Sequence, residues 1–120
     1  MLTEQLIERL VGEMRERFPD AAVAKDAART LVRLPALALP PGCEPEVTDV
    51  LVALAPGAAP ELFIRQIPRR PGGVVPRSTG TTVIAGESWC TFSFNLQWDP
   101  NRHSAEQFVQ GRLRRFALNE

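Results

Sequence analysis

Leu2, Leu6, Ile7, Leu10, Met14 and Phe18 recur at steps of three and four residues, which places them on one face of a helix over 2–18. Thr3 fits the N-cap position, and Glu4 lies near the positive helix end. The opposite face carries Glu8, Arg9, Glu13, Arg15, Glu16 and Arg17. Pro19 disfavours helical geometry at Phe18 and ends the helix there. A second helical pattern opens at Ser104, with Gln107 three residues on as in a capping box. Phe108, Val109, Leu113, Phe116 and Ala117 form its apolar side, while Arg112, Arg114 and Arg115 complement its negative end.

Between the helices the period shortens. Residues 21–33 are ambiguous, and 21–28 could extend a helix on propensity. Residues 29–38 alternate loosely and run into Pro40-Pro41-Gly42, which predicts a strand. Residues 47–54 are rich in β-branched side chains and stop at Pro56-Gly57, a second strand. A short third covers 61–65, and 81–84 and 89–94 are further strand-capable runs. Residues 66–80 read as a basic loop of turn-forming residues. The predicted architecture is α+β: an N-terminal helix, an antiparallel meander of about four strands, a cysteine-bearing segment and a C-terminal helix. No linker divides the chain, so 1–120 is expected to form a single domain.

Composition sharpens this picture. Most of the 11 prolines fall between Pro35 and Pro76. Each would cost about 3 kcal/mol inside a helix, so long helices are excluded from the middle of the chain. Hydrophobic residues at 44% and charged residues at 23% fit a folded globular domain rather than a disordered one. Fourteen basic residues balance fourteen acidic ones, which argues against a nucleic-acid partner. No apolar run of membrane-spanning length is present, and Met1-Leu2-Thr3-Glu4-Gln5 does not read as a signal peptide. The expected location is the cytoplasm, with no membrane partner. Two cysteines, Cys43 and Cys90, preclude a four-cysteine zinc site, and His103 is the single histidine. No metal or cofactor is expected. Gly72-Gly73 lacks the context of a phosphate-binding loop, and Arg65, Arg69, Arg70 and Arg77 read as a solvated basic loop.

The two cysteines differ in setting. Cys43, in Pro-Pro-Gly-Cys-Glu-Pro, reads as a turn residue whose neighbours Glu44 and Glu46 discourage a thiolate. Cys90 follows Gly86-Glu87-Ser88-Trp89. Trp98 comes eight residues after it, Pro100 two later, and then the helix opened by Ser104. This stretch resembles the active-site region of ubiquitin-conjugating enzymes, in which Trp-x-Pro and a capped helix follow a nucleophilic cysteine at that interval. The element order and the Leu54-to-Pro60 turn are similar as well. More narrowly, Trp89, Ser93 and Trp98-Asp99-Pro100 resemble the motif of compact prokaryotic conjugating-enzyme-like families. Gly80-Thr81-Thr82 stand where the larger family has His-Pro-Asn.

The resemblance implies a carrier of a ubiquitin-like protein, held as a thioester on Cys90 and passed to an amine. Its alternative is a non-catalytic scaffold or partner-binding subunit of the same fold. The implied partners are an adenylating (activating) enzyme, the ubiquitin-like protein and a metal-dependent isopeptidase from the same operon, with a possible role in antiviral defence. Thioester exchange needs a thiolate and positioning, whereas aminolysis needs an oxyanion donor and something to orient the amine. Ser93, Asn95 and Thr82 carry suitable donors, and His103 or Asp99 could orient an amine. Asn95 also reads as an ordinary turn residue. Trp98 is expected to be buried and to hold the Cys90 segment against the last helix. Arg9, Arg15 and Arg17 on the first helix are the expected docking residues for the activating enzyme.

Overall fold

The computed structural model describes residues 2–69, 79–92 and 97–117. Helix α1 (Glu4–Arg17) starts where expected: Thr3 accepts a hydrogen bond from the Leu6 N–H, and Phe18 closes the other end ahead of Pro19. Leu2 and Ile7 are both buried at the helix entry, an N′–N4 apolar contact that fixes the angle of approach. The Leu2 backbone also exchanges hydrogen bonds with Gly57 and Ala58, which ties the helix entry to the Pro56-Gly57 turn.

Six strands follow: β1 (Ala22–Asp26), β2 (Arg29–Ala38), β3 (Val47–Leu54), β4 (Glu61–Ile64), β5 (Gly80–Ile84) and β6 (Glu87–Thr91). They form one antiparallel sheet in the order β1-β2-β3-β4-β6-β5. This corrects the expected meander of about four strands in two ways. The ambiguous residues after α1 form β1, and the late apolar runs close into a β5–β6 hairpin. That hairpin joins the sheet through β6, at the single pair Ile64–Cys90, so strand order departs from chain order. Within β2, Pro35 and Ala36 together face Asp49, a bulge at which proline's missing N–H costs nothing. Ala36 is left-handed there (φ 53°), and its N–H is bound by Asp49 Oδ1 at 3.0 Å.

Helix α2 (Ala105–Leu113) has the predicted capping box, with both Ser104–Gln107 hydrogen bonds formed, and passes into a tighter turn over Arg114–Ala117. Both helices cover the same face of the sheet. Leu10 and Met14 from α1, and Phe108, Val109 and Leu113 from α2, pack with Val32, Leu34, Val50, Val52, Leu54 and Ile64. Cys43 closes the Pro40–Cys43 turn, its N–H donating to the Pro40 carbonyl oxygen at 3.3 Å, and its side chain joins this core at 2% exposure. Its loop is pinned by a backbone bridge between Glu44 and Arg69, and its sulfur lies 3.8 Å from the Phe116 carbonyl oxygen. No helix among the described residues is long and apolar enough to cross a membrane.

Candidate functional site

Cys90 lies one residue from the end of β6, where the four-residue β4 runs out. Register puts it on the helix-covered face, because it pairs with Ile64, which pairs with Val50 of the main core. It is half-buried, and its sulfur donates a hydrogen bond to the Arg65 carbonyl oxygen at 3.5 Å. On the other side it faces Thr81 of β5. Across an antiparallel pair, opposed side chains share a face with Cβ atoms roughly 5 Å apart, so Thr81 is the hydroxyl beside Cys90. Thr82, expected as a donor, is opposite Trp89 on the other face. Thr81 could not be singled out from sequence, because the choice between two adjacent threonines depends on a one-residue register.

The remaining expected residues are distributed differently. Ser93 and Asn95 lie outside the described residues. Trp98, Asp99 and His103 form the entry to α2, and none of them hydrogen-bonds Cys90. Trp98 is half-buried rather than sealed; its indole Nε1 donates to the Ser104 carbonyl oxygen at 2.8 Å and its ring lies 5.0 Å from that of Phe108. It therefore anchors the loop to the helix start, and both it and Cys90 pack against the main core. His103 Nδ1 accepts from the Asp99 N–H at 2.8 Å, and the Asp99 carboxylate accepts from the Asn101 N–H at 2.9 Å. The Asn101 hydrogen bond, with Arg102 and His103 nearby, holds the Asp99 carboxyl below the ordinary carboxylate range.

Two of the three α1 arginines are occupied within the chain. Arg9 pairs with Glu13 at 3.3 Å and donates to the Pro100 and His103 carbonyl oxygens. Glu13 in turn accepts the Ala105 N–H at 2.8 Å, one of the donors that a helix start leaves without an internal partner. Arg17 pairs with Glu106 of α2. The polar face of α1 thus clasps the start of α2, while Arg15 is exposed.

The face of the sheet turned away from α1 and α2 carries a constellation that the sequence did not disclose. Leu31, Leu51, Ala53, Phe63, Ile84 and Trp89 form a second apolar cluster there. Arg33 and Arg65 both lie over the Trp89 ring, with guanidinium carbons 5.2 and 5.1 Å from its centroid. Glu87 bridges them, accepting from Arg33 at 2.6 Å and from Arg65 at 3.0 Å, and Asp49 accepts from Arg33 at 2.8 Å. The Arg33 hydrogen bond lowers the Asp49 pKa, and Asp49 together with Glu87 raises that of Arg33. Beside the network the sheet leaves a groove of about 170 Å³, reaching from Ala22 and Ala24 on β1 to Ile84 of β5 and Ala85 in the turn after it. Its partners are 16 and 54 residues apart in the chain, too far for a spacing signal. The available hint was a single charged residue set among buried ones in each strand, Arg33 in β2 and Asp49 in β3.

Among the described residues no group of three or more His, Cys, Asp or Glu side chains could hold a metal. Comparison with protein-family models, with curated proteins and with solved structures finds no match for this chain.

Proposed function

We propose that this chain is a ubiquitin-conjugating-type carrier that holds a ubiquitin-like modifier as a thioester on Cys90 and passes it to an amine. What carries the reading is the asymmetry of the two thiols: Cys43 is sealed in the core, while Cys90 is half-open where β4 ends. The Trp98-to-Ser104 stretch that prompted the resemblance opens α2 on the same face of the sheet. In the loading step the Cys90 sulfur, as thiolate, attacks the carbonyl carbon of the modifier's thioester with an activating enzyme. One carbon–sulfur bond forms, one breaks, and the activating enzyme's thiolate leaves, with no change of oxidation state. In the second step an amine attacks the same carbonyl, the Cys90 thiolate departs, and the nitrogen sheds a proton. Thr81 is the side-chain hydroxyl best placed by register to steady the carbonyl oxygen.

The cognate activating enzyme, ATP and modifier should yield an adduct that thiol reductant destroys. Cys43→Ser should retain it, and Cys90→Ser should lose it or leave a reductant-stable ester. No adduct with a verified cognate set would overturn the carrier reading. A second reading, a non-catalytic partner-binding subunit, is favoured by one observation: among the described residues the Cys90 thiol bonds only a backbone carbonyl, and no side-chain base bonds it. Co-purification with the activating enzyme in the absence of any adduct would support that reading.

A further inference from the structure

The sheet has two outer strands, and only one is guarded. Strand β1 carries Lys25 and Asp26 and ends in an Asp26–Arg29 ion pair at 2.9 Å. Charges on an edge deter the addition of another strand. Strand β5 reads Gly-Thr-Thr-Val-Ile, without charge, proline or bulge, and Val83 is 69% exposed. Among the described residues it pairs with β6 alone.

The hairpin turn fixes which backbone groups face outward. Ala85 and Gly86 make a two-residue turn between Ile84 and Glu87, so that flanking pair exchanges hydrogen bonds. Pairs then alternate along the ladder. Gly80, Thr82 and Ile84 direct N–H and C=O toward β6, while Thr81 and Val83 direct theirs away from it.

We propose that β5 is a self-association edge whose partner is a second copy of this chain, added antiparallel about a two-fold axis at Thr82. In that register Thr81 of one copy faces Val83 of the other, and this occurs twice. Both residues have outward-facing N–H and C=O groups, so the two pairs make four hydrogen bonds and leave no outward group on either residue unmatched. Thr82 faces its own counterpart in a pair without hydrogen bonds. The exposed Val83 of each copy gains a β-branched neighbour, a favourable cross-strand combination. The edge is self-complementary in this register and nothing electrostatic opposes a second copy: the strand is neutral and the whole chain has a formal net charge of zero, so two copies do not repel at long range. The inference rests on register and edge chemistry and stands independently of any role for Cys90.

A single short edge is smaller than the interfaces of tight dimers, so the association is weak, with a dissociation constant on the order of 100 µM. Sedimentation velocity from about 10 µM to about 1 mM should show the weight-average mass rising toward that of a dimer. Val83→Pro removes an outward donor without touching the β6 ladder, and should weaken association about tenfold or more through the two lost hydrogen bonds. Val83→Lys places a charge on the exposed edge and should weaken it too; it decides the matter if the proline variant misfolds by circular dichroism. A parent that stays monomeric throughout, or an association that neither variant weakens, overturns the proposal. A monomer that instead takes up an extended peptide on this edge also overturns it, and assigns the edge to a different protein.

Discussion

Both faces of the sheet hold buried apolar clusters, and they are sealed by different means. On the helix side, Val32, Val50, Val52 and Ile64 have no exposure because α1 and α2 cover them. On the other side no helix among the described residues is packed, yet Trp89 is only 2% exposed. Its cover is the pair Arg33 and Arg65, which lie over the ring with their charges tied to Asp49 and Glu87. Long side chains can place apolar stems on a surface and keep their heads in water. The consequence for chemistry is local: Trp89 and Cys90 are neighbours in sequence but opposite in face, so the arginine–carboxylate network is on the wrong side of the strand to act on the thiol.

The largest test of this comparison sets the two tryptophans against each other. Trp89→Ala should cost about 3–5 kcal/mol, as large aromatic truncations in cores do, even though no helix among the described residues touches that face. Trp98 is half-exposed and packs at the helix entry, so Trp98→Ala should cost less, about 1–3 kcal/mol. Chemical denaturation of the two variants measures both. Equal losses, or a larger one at Trp98, would mean that the arginine-covered face is no core at all.

A smaller effect separates the stems of the arginines from their charges. Arg33→Ala removes both and should cost about 1–2 kcal/mol, whereas Arg33→Met keeps an apolar stem over Trp89 and should recover at least half of that. The charge can be read by pH. Asp49 has a folded pKa below its unfolded value, so its pairing stabilises the fold fully above the ordinary carboxylate pKa of about 4. That contribution is lost as pH falls through the depressed folded value. The stability gap between the parent and Asp49→Asn should therefore be widest near neutrality and shrink below about pH 4. A gap that does not change with pH would remove the Arg33–Asp49 pair from the stability of this face.

Much of the helix side was legible in sequence, because helices announce themselves through caps and period. Thr3, Pro19, Ser104 and Gln107 marked α1 and α2 to within a residue or two, and the β-branched run of β3 was equally plain. Strand β1 was not legible: Ala-Val-Ala-Lys-Asp has mixed propensity, and it is held as a strand by five residue pairs with β2. The β5–β6 hairpin was hidden because its turn is Ala-Gly rather than the Asn-Gly that announces such turns. Cys43 looked like a loop residue because Pro-Pro-Gly precedes it, while its burial comes from the distant Arg69 backbone and the chain end near Phe116. For the site, sequence singled out the half-open cysteine. It missed Thr81 and the whole Arg33–Asp49–Glu87–Arg65 network, both of which depend on strand register.

The smallest prediction concerns the two hairpin turns that bring the ends of the sheet round. In the β1–β2 turn Ala27 is left-handed (φ 53°), and in the β5–β6 turn Ala85 is left-handed (φ 51°) ahead of Gly86 (φ 82°). Alanine is strained in that region because its Cβ approaches the backbone, whereas glycine and asparagine tolerate it. Two consecutive positive φ values match the mirror-image turn that favours Asn-Gly, so Ala85→Asn should stabilise the protein. A single positive φ at the first turn position favours glycine, so Ala27→Gly should relieve strain too, offset by the freedom glycine gains in the unfolded chain. Ala85→Asn should add about 0.5–1 kcal/mol, and Ala27→Gly about half as much or nothing. Thermal melts at one pH measure both, and the order matters more than the sizes. Destabilisation by Ala85→Asn would mean that the turn is not left-handed, and the alternation that turns Thr81 and Val83 outward would lose its anchor.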